Sequence, residues 1–288
     1  MPLHTRLCLS GGGIRAVSYI GALETLSTAG ALINIDEYLG VSAGAFVAFL
    51  ICIGYSLTEM RQIMNKFDFG EIREISTENF LEFDENYGID DGERLIKVLT
   101  SLMKIKGFSP DLTFAGLPKR LRIFATDLKE LQPREFSTKR TPNVPIITAL
   151  RASMAIPFYF TPIRDPITNH LLTDGAVIAN YPMVHLNNFE ALGSIGLAFN
   201  DHTNNYNDVE NIFTFFHQVM SCFWIKENSS IYSRYAKNTI IIPCSIYPSW
   251  NFEATETDKK FLYECGVKAA KKFLEESKKP SFRRRSVA

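Results

Sequence analysis

"RLCLSGGGIRAVSYIGAL" (residues 6–23) passes from an apolar run through three consecutive glycines into a helical pattern. Residues 6–9 read as a short buried strand. Over residues 13–29, Val17, Ile20, Leu23 and Leu26 fall on one helical face, and Gly30 supplies the stop. Strand, glycine turn and helix in this order open a βαβ unit. Such a turn suits either the pyrophosphate of a dinucleotide or the negative charge that develops on an ester oxygen during hydrolysis. The elements around it bear on that choice.

Working outward, "ALINIDEYLG" (31–40) brings the chain back to the sheet, and "GVSAG" (40–44) turns it into the apolar run "AFVAFLICIGY" (45–55). That run is far short of the ~20 residues that span a bilayer and reads as a buried helix. "GVSAG" has the G-x-S-x-G form of a nucleophile elbow, a sharp strand-to-helix turn whose small residues leave room beside Ser42. The helix start behind it favours an anionic intermediate. Serine is also a favoured helix cap, so the pentapeptide alone leaves Ser42 as nucleophile or as cap.

A nucleophilic serine needs a base. In chain order His185 or His217 suits a triad, although neither sits in a distinguishing motif. Asp174, in "LLTDGAVIANYP" (171–182), ends a strand-like run, where open α/β sheets place their ligands; Asp-Gly is equally an ordinary turn. The competing dinucleotide reading uses Gly11, Gly13 and Ala16 with Asp36, which lies 36 − 13 = 23 residues beyond Gly13. Against it stand Arg15, a charge in the glycine turn, and the second tight turn with a serine at its tip. Three glycines before a helix also present unblocked N–H groups with a cation beside them.

Further helices are expected at 58–67, at 90–107 with Asp90 and Glu93 at capping-box spacing, and at 144–156, stopped by Pro157. Strands are expected at 121–128, 134–138, 158–163, 170–175, 194–199 and 239–244. The last helix, 256–279, spaces Phe261, Cys265, Ala269 and Phe273 along one stripe, with Thr257 or Asp258 as cap. The polar stretch 200–211 is long enough to be a mobile loop, and Asn204 marks where a lid would lie. The aromatic-rich run 211–225 suits an acyl channel, an interfacial patch or a core helix.

Composition narrows the classes. Lys+Arg and Asp+Glu each number 31 in 288 residues, so the charge bias of a nucleic-acid binder is missing. Cys8, Cys52, Cys222, Cys244 and Cys265 show neither zinc-site spacing nor a disulfide framework and read as buried reduced thiols. The N-terminus lacks the basic and apolar regions of a signal peptide. These features lead us to expect an intracellular, cytoplasmic protein, one domain over residues 1–279 and a basic tail at 280–288. The tail suits anionic headgroups, and Ser286 after three arginines has the form of a basophilic kinase site.

Taken together, the motifs resemble the patatin-like phospholipases, serine acyl hydrolases that use a Ser–Asp dyad. "SGGGIRA", "GVSAG", "IFATDL", "RASMAIPFYF" and "DGAVIANYP" match the family's blocks in order, over the chain up to about Pro182. Ser10 stands where many members carry Asp and others Ser. The resemblance implies a three-layer α/β/α fold with a mainly parallel central sheet. It makes Ser42 the nucleophile and Asp174 the base, and it assigns Gly11, Gly12, Gly13, Arg15 and Ala43 to the oxyanion hole. It further implies fatty-acyl esters of phospholipids, lysophospholipids or acylglycerols as substrates, no cofactor, no calcium requirement, and at most peripheral contact with a membrane or lipid-droplet surface. A dinucleotide-binding oxidoreductase and a catalytically silent lipid-binding scaffold are the competing expectations.

Overall fold

The computed structural model describes residues 4–66, 68–72, 74, 81–199, 209, 212–244 and 254–278. Apart from Val209, the polar stretch 200–211 lies outside them, as do the tail 280–288 with Ser286 and the His217 side chain.

The fold is a mixed α/β arrangement about one large sheet. Its strands are β1 (Arg6–Leu9), β2 (Glu37–Val41), β4 (Arg120–Asp127), β5 (Gln132–Ser137), β7 (Ile163–Arg164), β8 (Leu171–Asp174), β9 (Ser194–Phe199) and β10 (Thr239–Ile242). A separate two-stranded sheet pairs β3 (Gly88–Asp90) with β6 (Phe158–Phe160). The helices are α1 (Val17–Thr28), α2 (Ala43–Cys52), α3 (Leu57–Lys66), α4 (Phe83–Asn86), α5 (Glu93–Ile105), α6 (Ile146–Ser153), α7 (Ala176–Ala179), α8 (Asn188–Leu192), α9 (Ile212–Tyr235) and α10 (Glu256–Lys278).

β10, β9, β1, β2 and β4 lie side by side and parallel. β5, β7 and β8 join antiparallel. The pleat sends Leu7 and Leu9 into one core and Cys8 into the other, as period-two alternation requires of a sheet covered on both faces. Side chains of α1, α2, α3, α5, α6 and α10 build the first core. Tyr181, Met183, Leu186, Ala191 and Tyr232 cover the opposite face, completing three layers.

The strand directions contain the point that matters for function. β2 pairs with β4 as far as Val41 opposite Phe124. One residue further on, β8 takes over along the same strand, with Asp174 opposite Ala125. The end of β2 and the end of β8 therefore meet head-on along β4, so that Ser42 and Asp174 come side by side. Asp174 is the last residue of its strand, as expected from the sequence, and that strand runs antiparallel to β4, a direction on which periodicity carries no information.

Several local expectations are corrected. Residues 13–16 form a 3-10 turn before α1 begins. The α5 cap is Gly92 without a side-chain cap bond; Asp90 instead accepts the Gly92 and Glu74 N–H groups. In α10 the buried stripe is Leu262, Cys265, Gly266, Ala269, Ala270 and Leu274, with Phe261 exposed. Its cap is Thr255, which exchanges bonds with Asp258 at 2.8 and 3.2 Å. None of the five cysteines is in a disulfide, and Cys222 is exposed where a buried thiol was expected.

Candidate active site

Ser42 sits between β2 and α2 with φ 51° and ψ −126°, a left-handed conformation that costs a β-carbon-bearing residue roughly 1–3 kcal/mol. The glycines flanking it are a steric necessity. A Cβ on Gly40 would lie 2.4 Å from the Ala45 backbone, and one on Gly44 would lie 2.4 Å from the Leu9 carbonyl oxygen. Although Ser42 occupies the cap position of α2, its hydroxyl makes no cap bond. The Ser42 N–H is instead taken by Ser153 Oγ at 2.9 Å, and Ser153 donates its own proton to the Phe124 carbonyl at 2.6 Å. One buried hydroxyl thus ties the elbow to β4. "RASMAIPFYF" contains Ser153, yet nothing in its spacing marks it as a brace.

Asp174 is held at both backbone ends. Its N–H donates to Ala155 at 2.9 Å and its carbonyl accepts from Thr126 Oγ1 at 2.9 Å. The Ala176 N–H donates to Oδ1 at 2.8 Å, and the Ser42 side chain interacts with the same carboxyl. Burial dominates over both of these stabilising contacts and pushes the carboxyl up to about 7. An ordinary carboxylate is a poor base near neutrality; this one titrates where a base is useful.

The glycine turn lies against this pair. A Cβ on Gly11 would sit 3.1 Å from Ser42 Cβ, and one on Gly12 would strike the Phe199 ring. Of the three amides, that of Gly11 is already engaged by the Asn180 carbonyl at 3.2 Å, while Asn180 Nδ2 donates back to the Gly11 carbonyl at 3.3 Å. Among the described residues no acceptor takes the N–H of Gly12, Gly13 or Ala43. Each lies at a helix start, where such groups have no intrahelical partner. Arg15 is buried, donates from Nε to the Gly12 carbonyl at 3.4 Å and stacks over Phe199 at 4.8 Å. Ser10 Oγ lies 2.9 Å from Tyr19 Oη, which donates to the Ser10 carbonyl at 2.8 Å, so this branch residue braces the turn's entry.

Beside the free amides lies an apolar cavity of about 60 Å³, lined by Gly13, Ala43, Phe46, Met64, Leu95 and Met154 among others. A larger polar cavity of about 600 Å³, lined by Asp127, Arg134, His170 and His185, contains neither Ser42 nor Asp174.

The other candidates fall away from this centre. His185 stacks on Phe124 at 4.2 Å, and burial pulls its pKa down to about 4; its Nε2 has no hydrogen-bond partner among the described residues. Asp36 precedes β2 and pairs with Arg120 at 2.7 Å. It therefore lies at the amino end of the strand, whereas the glycine turn follows the carboxyl end of β1. A ribose ligand belongs on the same side as the pyrophosphate, so the dinucleotide reading fails on direction.

Comparison with known proteins bears on the family and the fold. Residues 7–186 match the family model of the patatin-like phospholipases. Protein R571 of Acanthamoeba polyphaga mimivirus is 29% identical over 277 residues, covering 92% of each chain. "Probable lipid hydrolase 463L" of Invertebrate iridescent virus 6 is 30% identical over 186 residues, covering 62% of each chain. Among solved structures, VipD of Legionella pneumophila superposes with a TM-score of 0.63 at 18% identity, covering 96% of this chain and 67% of that one.

Proposed function

We propose, from the premise that the chain belongs to the patatin-like phospholipase family, that it is a serine lipid acyl hydrolase working through a Ser42–Asp174 dyad. The observation that carries this reading is the buried Asp174 carboxyl beside Ser42, raised to about 7. As Ser42 Oγ attacks an acyl ester carbonyl, Asp174 takes the hydroxyl proton. The charge on the carbonyl oxygen falls to the N–H groups of Gly12, Gly13 and Ala43, each such donor being worth about 3 kcal/mol. Gly11 and Arg15 shape the turn, since the first has its amide engaged and the second bonds the turn's own carbonyl.

Collapse of the intermediate breaks the ester bond, and the leaving alcohol takes the proton back from Asp174. Water, deprotonated by Asp174, then releases the fatty acid from Ser42. The apolar cavity between Gly13, Ala43 and Met154 supports a hydrocarbon acyl group. Fatty-acyl esters of phospholipids, lysophospholipids or acylglycerols are the substrate class. Backbone amides and Asp174 fill every role in the scheme, so chelation with EGTA is expected to leave the rate unchanged.

The test is labelling with an active-site-directed fluorophosphonate. Wild type is expected to be modified at Ser42, Ser42→Ala not at all, and Asp174→Asn far more slowly. A wild-type chain that stays unlabelled in both buffer and detergent would refute the dyad and leave a silent scaffold.

A further inference from the structure

We propose that two adjoining turns at the catalytic end of the sheet form a docking platform for a phospholipid bilayer, an inference that rests on the lipid-hydrolase reading. The turns are 128–131, between β4 and β5, and 165–170, between β7 and β8. They expose Leu128 (43%), Leu131 (77%) and Ile167 (60%). Hairpin turns ordinarily carry Gly, Asn, Asp or Ser. Here Leu131 holds a left-handed φ of 53°, which glycine or asparagine would adopt with less strain.

Position gives these side chains their meaning. Val41, the last residue before Ser42, lies level with Phe124. β4 runs on past it to Asp127, so its turn begins four residues further along, about 13 Å forward of the elbow at strand rise. The β7–β8 turn lies beside it, because Leu128 N–H donates to the Leu171 carbonyl at 3.0 Å.

The platform is also preformed. Asp127 accepts the Lys129 and Glu130 N–H groups at 2.9 and 3.0 Å, closing the first turn. Asp165 accepts the Ile167 N–H at 2.8 Å, closing the second. His170 Nδ1 contacts Asp127 at 2.9 Å, and Arg134 pairs with the fully buried Asp165 side chain, so the two turns are tied across their bases. These ties hold the acids inward, while Lys129 and Glu130 are exposed in the first turn and Arg164 is exposed where the second begins.

The occupant follows from size and place. Three aliphatic side chains, each offering less than the 150–250 Å² an aromatic buries, fall well short of the roughly 800 Å² per partner of a stable protein interface. A fluid bilayer imposes no such minimum, accepts apolar side chains to a depth of about 5–10 Å, and is where a fatty-acyl ester resides.

Binding is to be read without turnover, by flotation of the full chain carrying Ser42→Ala with vesicles of phosphatidylcholine alone and of phosphatidylcholine with phosphatidylserine. Adding Leu131→Gln and Ile167→Gln is expected to lower partition to both by about tenfold or more. Ile33→Gln, equally exposed at 81% but at the opposite end of the sheet, is expected to change nothing. With Ser42 intact, the double variant is expected to hydrolyse a soluble short-chain ester as wild type does and vesicle-borne lipid more slowly, with an unaltered melting temperature. Undiminished vesicle binding by the double variant overturns the proposal. So does a parent that binds neither vesicle, or a parent dimer that the double variant dissolves. Because partition is measured on Ser42→Ala, failure of fluorophosphonate labelling would count against the dyad alone.

Discussion

The proposed role of Asp174 sets activity against stability. Its carboxyl titrates near 4 in the unfolded chain but about 7 when folded. A raised folded-state pKa means that the folded chain binds the extra proton, so stability from this group is fully present below pH 4 and is lost as pH rises through about 7. The difference of about three units corresponds to about 4 kcal/mol. In the proposed dyad activity runs the other way, since only an ionised carboxylate can accept the Ser42 proton. We therefore expect kcat/KM to rise with an inflection near pH 7. Asp174→Asn should melt at a higher temperature than wild type at pH 8, with the gap closing at pH 4; melts at the two pH values check the sign. Ser153 bears on the same centre differently. Ser153→Ala leaves the buried Ser42 N–H and Phe124 carbonyl without their partner, at about 1–3 kcal/mol, and lets the elbow relax from its left-handed φ. Slower fluorophosphonate labelling with an unchanged pH inflection is the expected signature, since Asp174 keeps its surroundings.

At the scale of elements, what the sequence disclosed and what it withheld divide along a physical line. The glycine turn and the elbow were legible because their backbones exclude side chains: a Cβ on Gly44 meets Leu9 and Ser10 carbonyls, and only particular residue types survive there. The same turns make Ser42 and Asp174 candidates, while the choice between nucleophile and cap, and between base and ordinary turn, comes from the family resemblance and not from the turns. The head-on meeting of β2 and β8 was not legible, because alternation and β-branching describe a strand and not its neighbour's direction. Ser153 and Asn180 were missed because a single buried hydrogen bond has no periodicity. Of the expected α10 stripe, Cys265 and Ala269 are buried and Phe273 packs against the core, but Phe261 is exposed, and the stripe widens onto Gly266 and Ala270, which hydrophobicity undervalues. Gly266 is the closest contact, where a Cβ would lie 1.8 Å from the Ser18 carbonyl oxygen, and Gly21 faces Tyr263 in the same way. α1 and α10 thus touch backbone to backbone. Gly266→Ala is expected to cost at least the 1–3 kcal/mol of core overpacking, read as a lower denaturant midpoint at constant slope.

Across the whole molecule, the family match and the folded unit differ in extent. Residues 7–186 contain the glycine turn, the elbow and Asp174. Yet β1, which delivers the turn, lies inside the sheet with β9 on its far side. Phe199 at the end of β9 stacks on Tyr19 at 4.9 Å, lies under the Arg15 guanidinium and walls off Gly12. α10 covers α1 through the glycine contacts above, and its Leu262 and Ala270 belong to the same core as Leu7 and Leu23. A chain ending at Leu186 would expose the edge of a parallel strand, a pairing rarely left uncovered, along with a large part of that core. We expect such a truncation to show no cooperative melt and no fluorophosphonate labelling, while a chain ending at Lys278 melts in one transition and labels like the full-length protein. A truncation at Leu186 that melted cooperatively and labelled at Ser42 would mean that the glycine turn holds its shape without Phe199, and that β9, β10 and α10 are an addition to the unit that carries Ser42 and Asp174 instead of part of it.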